Sequence, residues 1–194
     1  MYLACFKQIR TAFIMLILFT VLTGFIYPLI VTGLGQLLFP FQAGGSLIKE
    51  HGVTRGSSLL GQSFTQASYF WPRPSHTATF PYNAASSGAS NFGLSNPNLL
   101  TAIHERLVKY TQADPANKNP IPVELLMGSG SGLDPDISPK AAFYQASRVA
   151  KARGISIETV HTIINQHTKN RTLFILGEPR VNVLELNIAL DALK

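Results

Sequence analysis

Ala12 to Leu34 reads AFIMLILFTVLTGFIYPLIVTGL, and it lies inside a longer run, Thr11 to Ile48, that carries no charged side chain. A helix over the quoted stretch is roughly 35 Å long at 1.5 Å per residue, enough to cross a hydrocarbon core of about 30 Å. Secretory h-regions are shorter. The small-x-small pattern Gly33-Leu34-Gly35 falls within the last apolar turn, which argues for a retained anchor over a cleaved signal. Cys5 precedes the run and is therefore no lipoprotein acceptor.

Charge sets the expected orientation. Lys7 and Arg10 precede the span, while Lys49 and Glu50 lie well beyond it and cancel, so the basic excess predicts a cytoplasmic N-terminus. The expected division is residues 1–10 in the cytoplasm, 11–35 as the transmembrane helix and 36–194 as one periplasmic domain. That domain contains no cysteine, so it must fold without a disulfide, as suits a bacterial periplasm. The net charge of +6 does not imply nucleic acid: the basic residues are scattered. Arg148, Lys151 and Arg153 read as helix-end cations favoured by the macrodipole.

Outside the span, Gly45 to Leu60 predicts two short strands around His51-Gly52. Residues 61–98 have no helical period but hold seven aromatics from Phe64 to Phe92, which predicts an ordered, irregular surface. Asn96-Pro97 starts a helix with Leu100, Ile103, Leu107 and Tyr110 on one face, stopped by Asp114-Pro115. Ser138-Pro139 starts another, through Ala142, Gln145, Ala146, Val149 and Ala150 to the stop at Gly154. Ser156 caps a third, with Ile157, Val160, Ile163 and Ile164 as its apolar stripe. A strand is expected at Leu173 to Leu176, then a last helix capped by Asn182 and Glu185. The fold class is α+β: a single N-terminal transmembrane helix followed by one mixed domain.

The local motifs for chemistry are weak. Gly128-Ser129-Gly130-Ser131-Gly132 lacks the Gly-Lys-Ser/Thr ending of a phosphate loop and reads as a glycine turn. Asp134-Pro135-Asp136 reads as Asx turns rather than a cation site. Ser46-Leu47-Ile48-Lys49 has the S-x-x-K spacing without its companion motifs, and His104-Glu105 meets Val108 where a zinc motif needs histidine. All five histidines are expected to face solvent.

Several segments together carry more. Tyr69-Phe70-Trp71-Pro72-Arg73-Pro74-Ser75, Tyr82-Asn83 through Ser95-Asn96-Pro97, Gly130-Ser131-Gly132-Leu133-Asp134-Pro135, Arg148-Val149-Ala150-Lys151-Ala152-Arg153-Gly154 and Gly177-Glu178-Pro179 with Val181-Asn182-Val183-Leu184 occur in order after one span. This arrangement resembles the C subunit (KdpC) family of the Kdp potassium-transporting ATPase over nearly the whole chain. His76 and Phe92-Gly93 depart from the family's usual pattern.

The resemblance implies a non-catalytic subunit of a bacterial ATP-driven potassium importer, in the inner membrane. Its partners would be a channel-like potassium-translocating subunit, a P-type ATPase subunit and a small single-span subunit. It would hold no cofactor of its own, with ATP and potassium handled by those partners. The family is also described as a catalytic chaperone that raises the ATP affinity of the ATPase subunit. A periplasmic domain cannot touch cytoplasmic nucleotide, so such an effect must pass through the membrane subunits. Gln145 is the candidate for any nucleotide role. Candidate partner contacts are Thr20, Gly24, Tyr27 and Val31, one face of the span with a small residue at its middle, and Trp71 and Arg73 in the aromatic segment. A tethered enzyme would instead need a convergent polar pocket. A tethered module for a small ligand or cell wall would need a concave aromatic site, for which 69–71 and 80–82 are the candidates.

Overall fold

The computed structural model describes the backbone of residues 2–193 and the side chains of residues 8–193. The side chains of Cys5 and Lys7, which bear on lipidation and orientation above, lie outside the described residues. The chain divides near Leu47 into two units.

The first unit is helical. Helix α1 (Tyr2–Val21) passes through a π-helical turn (Leu22–Ile26) into α2 (Tyr27–Leu38), and α3 (Pro40–Ala43) follows as a single turn. Within the described residues, Gln8 to Leu38 is a helical run long and apolar enough to cross a membrane, and α2 stays helical to Leu38. Pro28 explains the wide turn. In an unbroken α-helix its ring would strike the carbonyl of Gly24. The helix widens just before it, so that the Tyr27 N–H bonds to the Leu22 carbonyl, five residues back. The Thr23 hydroxyl donates to the Phe19 carbonyl at 2.6 Å, covering a further backbone acceptor. None of the side chains described from Gln8 to Leu38 is buried by the chain itself.

The second unit is the mixed α+β body. β1 (Leu47–Glu50) and β2 (Val53–Ser57) form a hairpin at His51-Gly52, where both residues have positive φ. Residues 61–96 then run without helix or strand. α4 (Pro97–Ala113) and the single-turn α5 (Val123–Leu126) precede β3 (Asp136–Ile137). α6 (Pro139–Arg153), α7 (Ile157–His167), β4 (Thr168–Lys169), β5 (Arg180–Asn182) and α8 (Val183–Asp191) complete the body. β5 is the middle strand of an antiparallel sheet, with Ile137 opposite Val181 on one side and Thr168 opposite Val181 on the other.

The helix starts follow the caps. The side chains of Asn96, Ser138, Ser156 and Asn182 each accept a first-turn backbone N–H, and Gly154 ends α6 at φ 67°. Only half of the reciprocal cap at Asn182 forms, because the Glu185 carboxylate pairs with Lys169 at 2.7 Å. Buried Ala142, Ala146, Val149 and Ala150 let α6 pack closely on α7 through Val160, Ile163 and Ile164.

Three expectations are corrected. α4 buries Leu99 and Tyr110, not Leu100 or Leu107, which are 65% and 42% exposed. Its inner face is shifted because Arg106, one turn before Tyr110, turns inward to donate to the Leu126 carbonyl at 2.6 Å. Ile157 is likewise half-exposed at the start of α7. Leu173 to Leu176 is no strand. It is a tight exposed turn closed by a bridge between Thr172 and Leu176, and the ladder strands lie on either side, at Thr168–Lys169 and Arg180–Asn182.

Candidate partner-binding site

On the anchor, Thr20, Gly24, Tyr27 and Val31 are exposed, and Tyr27 and Val31 are 64% and 48% accessible. The wide turn adds about one residue to a helical turn, which rotates Tyr27 and Val31 by roughly 100° against Thr20 and Gly24. The straight stripe expected from spacing is therefore bent into two short patches that meet at the π turn. A Cβ on Gly24 would find nothing within 4 Å, so the groove there is open.

In the body, the aromatic segment is built in by polar side chains. Gln145 is 1% exposed, and its amide reads both backbone groups of Trp71: Oε1 accepts from Trp71 N at 2.9 Å and Nε2 donates to Trp71 O at 3.0 Å. Asn187 treats Phe70 the same way, at 2.8 and 3.1 Å. Two amides on two helices thus supply what a neighbouring strand would otherwise supply. Arg148 donates to the carbonyls of Ala67 and Tyr69 at 2.5 and 3.0 Å and to Gln145 Oε1 at 2.7 Å. Its guanidinium also lies 4.0 Å from the centre of the Trp71 ring. Burial pulls Arg148 down to about 10, which leaves it charged at neutral pH. Arg153 continues the series, donating to the Ser68 carbonyl at 2.7 Å and to Asp191 at 2.8 Å.

These contacts relocate the expected site residues. Trp71 is 6% exposed and stacks against Tyr110 at 5.2 Å, so it belongs to the core rather than to a free surface. Arg73 is half-buried, and its Nη1 donates to Asp134 at 2.9 Å. Arg153 does lie in the last turn of α6, as expected of a helix-end cation, but neither it nor Arg148 faces solvent: both pin the irregular segment. The polar groups of Gln145 are committed to Trp71 and Arg148. The signal that could have found this network is the recurrence of Gln145, Arg148 and Asn187 among apolar positions of helical stripes.

The other motifs resolve into structure. In the glycine loop, Ser129 N–H donates to Pro74 O and Ser131 O accepts from Gly88 N–H, at 3.1 and 2.9 Å. Gly132 sits at φ 69°, where a Cβ would meet the Gly88 carbonyl at 2.6 Å. Asp134 accepts from the Asp136 N–H at 3.0 Å as an Asx turn, and Asp136 pairs with Arg180 at 3.2 Å. Among the described residues, no three of His, Cys, Asp or Glu gather as a metal set.

His76 is not solvent-facing. Its Nε2 accepts from Arg106 at 2.9 Å, and burial, with the neighbouring Arg106 charge, holds it below the usual histidine range. A cleft of about 430 Å³ opens between Tyr69, Arg153 and Asp191. Its polar groups bond one another, with Tyr69 donating to Asp191 at 2.9 Å, so they do not converge on a substrate. Of the two aromatic stretches, Trp71 and Tyr82 come together with Phe64 and Tyr110 around a cavity of about 240 Å³, while Tyr82 donates to the Arg73 carbonyl at 2.6 Å and Phe80 is 56% exposed.

Fold and site together fit the class of single-span membrane proteins: among the described residues, one helix is long and apolar enough to cross a membrane, and a mixed α+β body follows it. The family model for KdpC, described as "K+-transporting ATPase, c chain", matches residues 9–192. The chain is 56% identical over 185 residues to a "Potassium-transporting ATPase KdpC subunit" of Herpetosiphon aurantiacus, covering 95% of this chain and 96% of that protein. It is 54% identical over 188 residues to the protein of the same description in Methylococcus capsulatus, with 97% and 99% coverage. A Citrifermentans bemidjiense relative, again so described, shares 54% over 187 residues, 95% of this chain and 97% of its own length. This chain belongs to the KdpC family.

Proposed function

We propose that this protein is an accessory subunit of a bacterial ATP-driven potassium importer, without ATP hydrolysis or potassium binding of its own. The observation that carries the reading is full-length similarity to proteins described as potassium-transporting ATPase subunits. The partners are a channel-like potassium-translocating subunit, a P-type ATPase subunit and a small single-span subunit. The apolar helix spans the inner membrane with its N-terminus in the cytoplasm, and the body lies in the periplasm.

Thr20 and Gly24, with Tyr27 and Val31 beyond the π turn, pack against a partner helix. Close approach at a small residue is what drives helix association in lipid. An effect on the ATP affinity of the ATPase subunit is then a coupling free energy carried by the membrane subunits. Gln145 contributes by holding Trp71, not by touching nucleotide.

The test is co-purification in mild detergent with the large membrane subunits, and its failure would end the reading. Orientation is tested in a Cys5→Ser background by Ser87→Cys and an impermeant maleimide. Ser87 is exposed, so labelling of intact spheroplasts is expected. Labelling only after lysis would put the body in the cytoplasm.

A further inference from the structure

Between β4 and β5 the chain projects Leu173, Phe174, Ile175 and Leu176, which are 75%, 91%, 74% and 55% exposed. Four consecutive apolar side chains at a turn tip are out of place on a water-facing surface. Leu173 and Phe174 also take left-handed backbone angles, φ 53° and 67°, which large side chains rarely adopt. A glycine or asparagine would relax that turn.

The tip has two further properties. Four of its backbone donors are used: Thr172 N–H bonds to Leu176 O and Leu176 N–H to Thr172 O, both at 2.9 Å. Ile175 N–H also reaches Thr172 O, at 3.3 Å, and Phe174 N–H reaches Arg171 O, at 3.2 Å. The charges at its base are also neutralised: Arg171 pairs with Glu178 at 2.7 Å, Lys169 with Glu185 at 2.7 Å and Arg180 with Asp136 at 3.2 Å. A medium that cannot hydrogen-bond demands both properties, because unpaired amides and charges are costly there.

We propose that this tip is a membrane-dipping finger: Leu173, Phe174 and Ile175 enter the interfacial layer of the leaflet on the body's side of the membrane. The occupant is lipid because the chain is itself tethered there. α2 ends at Leu38 and β1 begins at Leu47, so residues 39–46 are the whole tether. A tether of that length makes the bilayer surface the apolar phase of highest effective concentration, and no electrostatic attraction is needed to recruit the finger. The inference rests on the membrane-anchored reading above. It adds a second point of contact that holds the body in one orientation.

The full chain, carrying Phe174→Trp or separately Ile175→Trp, is reconstituted into phosphatidylcholine–phosphatidylglycerol vesicles with brominated acyl chains. Trp71 is the single native tryptophan and is buried, so the parent chain supplies the background. Emission from position 174 or 175 is expected to fall about two-fold against unbrominated vesicles, while the parent signal stays level. Equal emission in both vesicles overturns the finger. Shielding that develops only when the other transporter subunits are added assigns the tip to a protein pocket and overturns it equally. Flotation separates the premises: chain that floats without quenching refutes the finger alone, and chain that fails to float refutes the anchor and the finger with it.

Discussion

The anchor and the irregular segment 61–96 solve the same problem in opposite ways. Both contain stretches whose backbone groups must be satisfied away from water. The anchor does so within its own helix, even where Pro28 forces a wider turn, and none of its described side chains is buried by the chain. The segment makes no regular structure, and distant side chains of α6 and α8 satisfy it at Ala67 to Trp71. Self-contained backbone leaves side chains free for partners, whereas borrowed hydrogen bonds commit them. Change in the anchor should therefore read out in assembly, and change around the segment in stability.

The largest break in that contrast should come at Arg148. Arg148→Ala strands two carbonyls and removes three charge-assisted bonds, an expected loss of roughly 3–5 kcal/mol. Urea unfolding of the full chain in detergent, followed by Trp71 emission, measures it. A loss under about 1 kcal/mol would mean that the segment holds itself.

Asn187→Ala should cost roughly 2–3 kcal/mol, since it leaves the buried N–H and C=O of Phe70 unpaired. Leucine at the same position is expected to be no better, because the lost partner is polar. Equal stability of Asn187→Leu and the parent would show that packing, not pairing, holds Phe70.

Arg73→Ala removes a half-buried ion pair with Asp134 and should lower stability by about 1 kcal/mol after allowance for solvent screening. Unchanged stability with weakened assembly would return Arg73 to the partner surface.

A smaller effect is expected at His76, whose folded-state pKa lies below its ordinary 6.5. The folded body prefers the neutral ring, so the unfolded chain binds more protons in this window. Stability should then fall as pH drops through 6.5 toward the lower folded value, and His76→Gln should flatten that part of the profile. A profile unchanged by the substitution would mean that His76 charges freely.

Gly24→Leu should be silent in the isolated chain, because its Cβ meets nothing, while lowering the yield of intact complex. A destabilised monomer would show that the anchor has internal packing after all.

Caps and turns were the most legible features, because each is decided within a few residues. Asn96-Pro97, Ser138-Pro139, Ser156, Asn182 and Gly154 all mark helix ends where the residue types place them. Leu173 to Leu176 looks strand-like in sequence, but a short apolar run becomes a strand only when a partner strand is in register. There the chain turns back on itself between Thr172 and Leu176.

The sequence alone determined the long apolar helix, the α+β character, the helix starts and the family, since these depend on local composition, capping and motif order. Only the tertiary structure decided that Gln145, Arg148 and Asn187 are the partners of a segment more than seventy residues away, as the Gln145–Trp71 separation of 74 shows. It also decided that Trp71 is core and that the anchor's stripe bends at a π turn. A side chain's type gives its bonding capacity, but which backbone group it meets is settled by how the helices pack.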